Sequence, residues 1–161
     1  MGFNAYVNFG DIKGESTDKD HKDWVVITSY KQSVTQAVAA HQAGVARVGK
    51  ATFSEFAIVK RLDVASPKLF EAACQGTDLK EVTIELVHAS GNAPYLQIKL
   101  SDVVITGVFD DAEATGNAQY PTETVNMSYG VIQITYTRQK ADGTAAGNVA
   151  AKWNVTKGAV A

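Results

Sequence analysis

The side chains best able to do chemistry in this chain are three histidines, one cysteine and a small acidic cluster. His21, His41 and His88 lie too far apart for any pair to show the short spacing of metal-ligating histidines. A nucleophilic cysteine needs its thiolate, which a helix N-terminus or a nearby cation favours. Cys74 instead falls near the C-terminal end of a candidate helix, just before Gly76. It shares a helical face with Leu69, Phe70 and Ala73, so it is expected as buried filler. As the single cysteine it has no partner for an intramolecular disulfide. Glu15, Asp18, Asp20 and Asp23 gather carboxylates, but without the oxygen steps, central glycine and closing glutamate of a calcium loop. Lys13, Lys19 and Lys22 interleave with them, as in a solvated, self-compensating loop. Gly44 to Gly49 matches neither phosphate-binding glycine pattern. Nothing here calls for a catalytic set, a metal or a cofactor.

The bulk composition narrows the remaining classes. The formal net charge is -2, so no basic excess exists to neutralise phosphates or an anionic membrane surface. No run of about 18 apolar residues could span a bilayer. Met1 to Tyr6 show no basic region leading into an apolar run, so the chain is expected to be made in the cytosol and, if exported, to leave without a signal peptide. Tyr6 stands where a myristoylation signal would need Ser or Thr. With 161 residues and 20% charged residues, the chain reads as one globular domain over 1–161.

The elements expected to position these groups are mostly strands. Phe3, Ala5, Val7 and Phe9 alternate with polar neighbours, the period of a half-buried strand. A charged loop runs from Asp11 to Asp23, and Trp24 to Ser33 is the second strand. Val34 to Lys50 holds many alanines and no wide apolar stripe, and is expected as a long exposed loop. Thr52 to Leu62 is a strand. Ser66, as cap, and Pro67, in the first turn, open one helix that Gly76 ends. Val82, Ile84 and Leu86 alternate, with His88 continuing their phase. Beyond them, Leu96, Ile98 and Leu100 share one phase of a long strand while Val103 and Ile105 take the other. A second strand, Val125 to Tyr136, slips in the same way. Such slips mark a bulge or sharp bend and point to a sheet that curls into a two-sheet barrel. Phe109 to Pro121 is a polar loop, Asp142 and Gly143 mark a turn, and Ala150 to Thr156 is the last strand. Trp24, Trp153 and the tyrosines are expected to fill and rim the barrel.

Several of these segments together resemble one family. Gly10-Asp-Ile-Lys-Gly-Glu-Ser16, with His21 and Trp24-Val-Val-Ile, is similar to the opening of the haemolysin-coregulated protein (Hcp) family of bacterial type VI secretion. Ser66 to Gly76 resembles its single helix. Tyr95 to Leu100, Glu123 to Tyr136 and Trp153-Asn-Val resemble its late strands. The resemblance implies a mainly β, two-sheet barrel with one short α-helix. It implies a non-enzymatic subunit that forms hexameric rings, which stack into a secreted tube. Its partners would be further copies of itself, a VgrG spike, a contractile sheath and small effectors carried in the lumen. On that reading the tip of the long loop, Ala39, Ala40, His41, Gln42, Ala43, Gly44 and Val45, is the expected ring-stacking contact, having no core to serve. Gln32 and Ser33 are the expected lumen-facing pair. Two other readings compete. A monomeric small-ligand-binding β-barrel would need an open apolar cavity, and an enzyme built on Cys74 would need a reactive thiol.

Overall fold

A computed structural model describes residues 2–42, 44–90 and 93–161. The N-terminal alternation becomes β1 (Phe3–Asn8), with Ala5 and Val7 inward and Phe9 continuing their phase. β2 (Val25–Lys31) pairs antiparallel with β1 on one side, and β6 (Asp78–His88) on the other. Between them in sequence lie β3 (Val34–Gln42), β4 (Val45–Phe53), β5 (Phe56–Arg61) and α1 (Ser66–Gln75). β7 (Pro94–Asp111), β8 (Thr122–Ser128), β9 (Val131–Gln139), β10 (Ala145–Asn154) and β11 (Ala159–Val160) complete the chain. In space the order β7-β6-β1-β2-β5-β8 returns to β7, a closed barrel. Closure removes the sheet edges that an open sheet would leave.

The 18-residue β7 makes closure possible. Its first half pairs with β9 from Leu96 to Ser101, and its second half pairs with β8 from Val104 to Asp111. The partner changes at Asp102, whose φ is +53°, where the apolar phase slips from Leu100 to Val103. Gly130 fits into this corner. Its N–H donates to Ser101 O at 2.9 Å, and a Cβ there would come within 3.2 Å of the Asp102 Cβ. β9, β10 and β11 continue outward from the barrel as a flange.

The core is a single cluster that includes Val7, Val25, Phe56, Ile58, Leu69, Ile84, Leu100, Val125 and Met127. These side chains fill the barrel, which answers the requirement of a ligand-binding barrel for an open cavity. The aromatics divide: Tyr6 and Tyr129 are buried, Trp24 and Trp153 half-buried, and Tyr120 and Tyr136 exposed.

Six expectations need correction. Val34 to Lys50 is a two-stranded ribbon, β3 against β4, rather than an irregular loop. Its β-branched residues pair across the ribbon itself, so no core-facing alternation shows. Val125 to Tyr136 is two strands, because the slip at Gly130 is the point where the chain leaves the barrel for the flange. Thr52 to Leu62 likewise breaks between β4 and β5, while β10 begins five residues before its expected start, at Ala145 rather than Ala150. In α1, Ala65 takes the cap position with no side-chain bond, although Gly76 ends the helix with φ +62° as expected. The Ser66 Oγ instead accepts the Asp63 N–H and the Lys60 ammonium. That bond draws the Ser66 side of the helix onto the barrel, so the buried row is Ser66, Leu69 and Ala72. Phe70 and Cys74 therefore rotate outward, and the cysteine is exposed rather than buried filler.

Leu69 is wholly buried, so Leu69→Ala is expected to cost about 2–5 kcal/mol in urea unfolding. Cys74→Ala should change stability by less than about 0.5 kcal/mol, as surface substitutions usually do. A thiol reagent should label Cys74 in the native protein nearly as fast as in the unfolded chain. Protection of that thiol in the native state would contradict the helix orientation.

Candidate assembly interface

The residues that could have done chemistry hold the fold together instead. The loop from Gly10 to Trp24 lies over the outside of the barrel. Gly14 passes so close to β2 that a Cβ would sit 2.5 Å from Trp24 O. His21, 2% exposed, anchors the loop. Its Nδ1 and Nε2 meet Asp18 Oδ1 and Glu85 Oε2, each at 2.7 Å. Its ring stacks on Tyr6 at 4.4 Å and meets Trp24 edge-on at 4.9 Å. Tyr6 and Glu85 are cross-strand partners, and Gln97, opposite Glu85 on β7, donates to Glu85 Oε1 at 2.6 Å. Asp18 Oδ1 also accepts the Asp20 and His21 N–H groups. The His21 hydrogen bond, with help from these backbone donors, holds Asp18 below the usual carboxylate range.

A second polar knot lies at the end of the barrel that carries α1. Lys60 continues the inward phase of Phe56 and Ile58, and its side chain is wholly buried. Its ammonium donates to Arg61 O at 3.0 Å, Asp63 Oδ1 at 2.7 Å and Ser66 Oγ at 2.9 Å. Glu123 Oε1 lies 2.9 Å away, a close contact without the alignment of a hydrogen bond. This knot ties β5 and β8 to the helix. Among the described residues, no group of three His, Cys, Asp or Glu side chains could hold a metal.

What the chain leaves uncovered is apolar surface. The β3–β4 ribbon projects from the barrel with Val34, Val38 and Val48 each more than half exposed. At its base an apolar groove of about 490 Å³ runs between Val34, Ala51 and Phe53 on the ribbon and Ile132, Ile134 and Trp153 on the flange. β10 is bonded to β9 along its length, but β11 covers only Trp153 and Asn154 on its other side. The open stretch, Ala145 to Lys152, is exposed throughout, carries a single charge and ends in an uncovered hydrogen-bonding edge. An exposed apolar arm, groove and strand edge are features of a protein–protein interface.

Comparison with known proteins places this geometry. Residues 6–136 match the family described as "Type VI secretion system effector, Hcp". The chain belongs to the Hcp family. It is similar to protein hcp1 of Pseudomonas aeruginosa, 27% identical over 158 residues that cover 96% of each chain. A solved type six secretion system protein superposes with a TM-score of 0.90 at 26% identity, covering 98% of this chain and 99% of its own. A type VI secretion system effector from Yersinia pestis superposes at 0.77 with 26% identity, over 94% and 99%. The Hcp barrel with one short helix is the fold expected from the resemblance.

Within this Hcp fold the expected site residues take distinct places. Ala39, Ala40, His41, Gln42, Gly44 and Val45 lie on the outer half of the ribbon, with Gln42 and Val45 paired near its tip and Gly44 at φ +78°. Ala43 lies outside the described residues. Gln32, half-buried, and Ser33, exposed, sit at the ribbon's base, where Ser33 N–H donates to Ser54 Oγ at 2.9 Å. Gln32 also lines the groove. The ribbon tip and the Gln32–Ser33 pair thus stand at opposite ends of one element. His88 lies exposed at the end of β6, stacked on Tyr95 at 4.2 Å. The sequence reading passed over the Lys60–Glu123 pair. Both residues extend the inward apolar alternation of their strands, and opposite charges in that phase were the available signal.

Removing one partner of a buried ion pair leaves the other charge stranded. Lys60→Ala is therefore expected to cost about 3–5 kcal/mol in urea unfolding, because the Asp63 carboxylate loses its cation. A second expectation concerns acid. Because the folded carboxyl of Asp18 loses its proton more readily than the unfolded one, its contribution is fully present above the ordinary carboxylate range. It is lost as pH falls through and below that range. Asp18→Asn should flatten the acid limb of the stability–pH curve, and an unchanged limb would show that the His21 contact contributes nothing there.

Proposed function

We propose that this chain is the repeating subunit of the type VI secretion inner tube. Six copies form a ring through heterologous contacts that close, and rings stack through a second contact that does not. The observation that carries this reading is the β3–β4 ribbon, an apolar arm whose Val34, Val38 and Val48 stay more than half exposed. Membership of the Hcp family and likeness to hcp1 over 96% of the chain support it. The ribbon tip, Ala39 to Val45, makes the ring-to-ring contact. Gln32 and Ser33 face the lumen, where a polar wall holds small effector proteins weakly enough to release them. The tube carries a VgrG spike at its tip, runs inside a contractile sheath and leaves the bacterial cytoplasm. The work is structural and needs neither a catalytic group nor a cofactor, and residues 1–161 act as a single domain.

Native mass spectrometry and negative-stain microscopy of the purified protein are expected to show hexameric rings. Deleting Ala39 to Val45 should keep the ring and abolish stacking. Continued polymerisation of that deletion would refute the role given to the tip. Ser33→Arg should reduce retention of a co-expressed effector without changing ring size, and unchanged retention would remove Ser33 from the lumen wall. A monomer at high concentration would count against the tube reading itself.

A further inference from the structure

The second polar knot has more carboxyl groups than its one cation can balance. Lys60, Glu123 and Asp110 are directly opposite one another across β5, β8 and β7 at the helix-bearing end, the first two buried and Asp110 exposed. The Lys60 ammonium already has Asp63 at 2.7 Å and Glu123 at 2.9 Å. Asp110 is the cross-strand partner of Glu123 on its other side. The remaining groups at this end do not add a buried positive charge. Arg61 and Asp111 flank Thr122 in the register, Ser66 contributes a hydroxyl, and β2 places Ile27 opposite Lys60. Glu123 is 1% exposed, so its own carboxyl is cut off from water. Like charges opposite each other in a ladder destabilise the pair, and two carboxyls in contact cannot both ionise.

We propose that Glu123 stays a neutral acid in the folded barrel and donates its O–H to the Asp110 carboxylate, so that this one proton clasps the β7–β8 seam. The seam is where the barrel closes, and these two strands enclose the 112–121 loop. Loss of the proton sets two carboxylates face to face beside a single ammonium. The end of the hairpin then opens while Val125, Met127 and Ile105 keep the rest of the seam packed. Burial pushes the Glu123 carboxyl above its ordinary range. The Lys60 ammonium opposes that push, and Asp110 adds to it. The sign follows: the folded state holds a proton that the unfolded state has released. The clasp is intact at and below the ordinary carboxyl range and weakens as pH rises through the raised value.

The test is carboxyl-carbon NMR of the full chain, with amide hydrogen exchange at residues 108–111 and 122–125 after correction for the intrinsic pH effect. Glu123 should titrate above the ordinary glutamate range, and the protection of these amides should fall by up to about tenfold per pH unit across that titration. Glu123→Gln, which can still donate to Asp110, should hold protection constant over the same range. Asp110→Asn alters an exposed group and keeps Glu123 in place, so it serves if Glu123→Gln fails to fold. It should lower the pH at which Glu123 titrates. A Glu123 that titrates at the ordinary value would overturn the proposal. So would exchange at these amides with the same pH dependence in the wild type and Glu123→Gln. The result does not depend on whether the chain forms a tube, because each readout is local to one seam.

Discussion

One strand has to belong to two sheets, and the rest of the molecule is arranged around that constraint. β7 must give its first half to β9 and its second half to β8, yet a strand can offer each hydrogen-bonding edge to only one neighbour at a time. The left-handed turn at Asp102 resolves the conflict. It flips the apolar phase so that Leu100 and Val103 both point into the core. Gly130 is the counterpart on the following strands, where a side chain would collide with Asp102. The barrel can therefore close while a flange of β9, β10 and β11 continues beyond it. The groove at the base of the ribbon lies between that flange and β3–β4.

Two ionic clusters brace the barrel from different sides. On the outside, His21 fastens a long polar loop to the Tyr6–Glu85–Gln97 row and so covers the outward face of β1. On the inside, Lys60 joins β5, β8 and the start of the helix. Such groups are costly to bury and are tolerated where each finds partners. They also make the barrel directional. One end carries the helix and a charged interior, while the ribbon projects from the far ends of β2 and β5.

Much of this was legible in the chain, and what was not has physical causes. Period-two alternation marked β1 and β6, Gly76 marked the helix end, and the phase slips marked both corners. The slip at Leu100 proved to be a bend within one strand, while the slip at Gly130 proved to be a change of strand. Sequence period alone does not separate these, because both turn the side chains over. The ribbon was missed because Val34, Val38 and Val48 stay exposed rather than facing a core. The helix was read a third of a turn off, since Ser66 looks like a cap until Lys60 is seen beside it. The ribbon tip and the Gln32–Ser33 pair stood out only through resemblance, because the features of a contact between copies are not completed within one chain.

The position of β1 has a consequence for how the protein comes into being. The first strand made is the one placed between β2 and β6, and its second partner lies about eighty residues downstream. Another remote pair, β5 with β8, spans a comparable distance. Pairings that remote are slow to find and cannot start until the ribosome has released them. The apolar inward row of β1 must therefore wait half-covered through much of synthesis. This chain should be a customer of the chaperones that shield nascent strands, and its yield in the cell should depend on them more than its final stability would suggest.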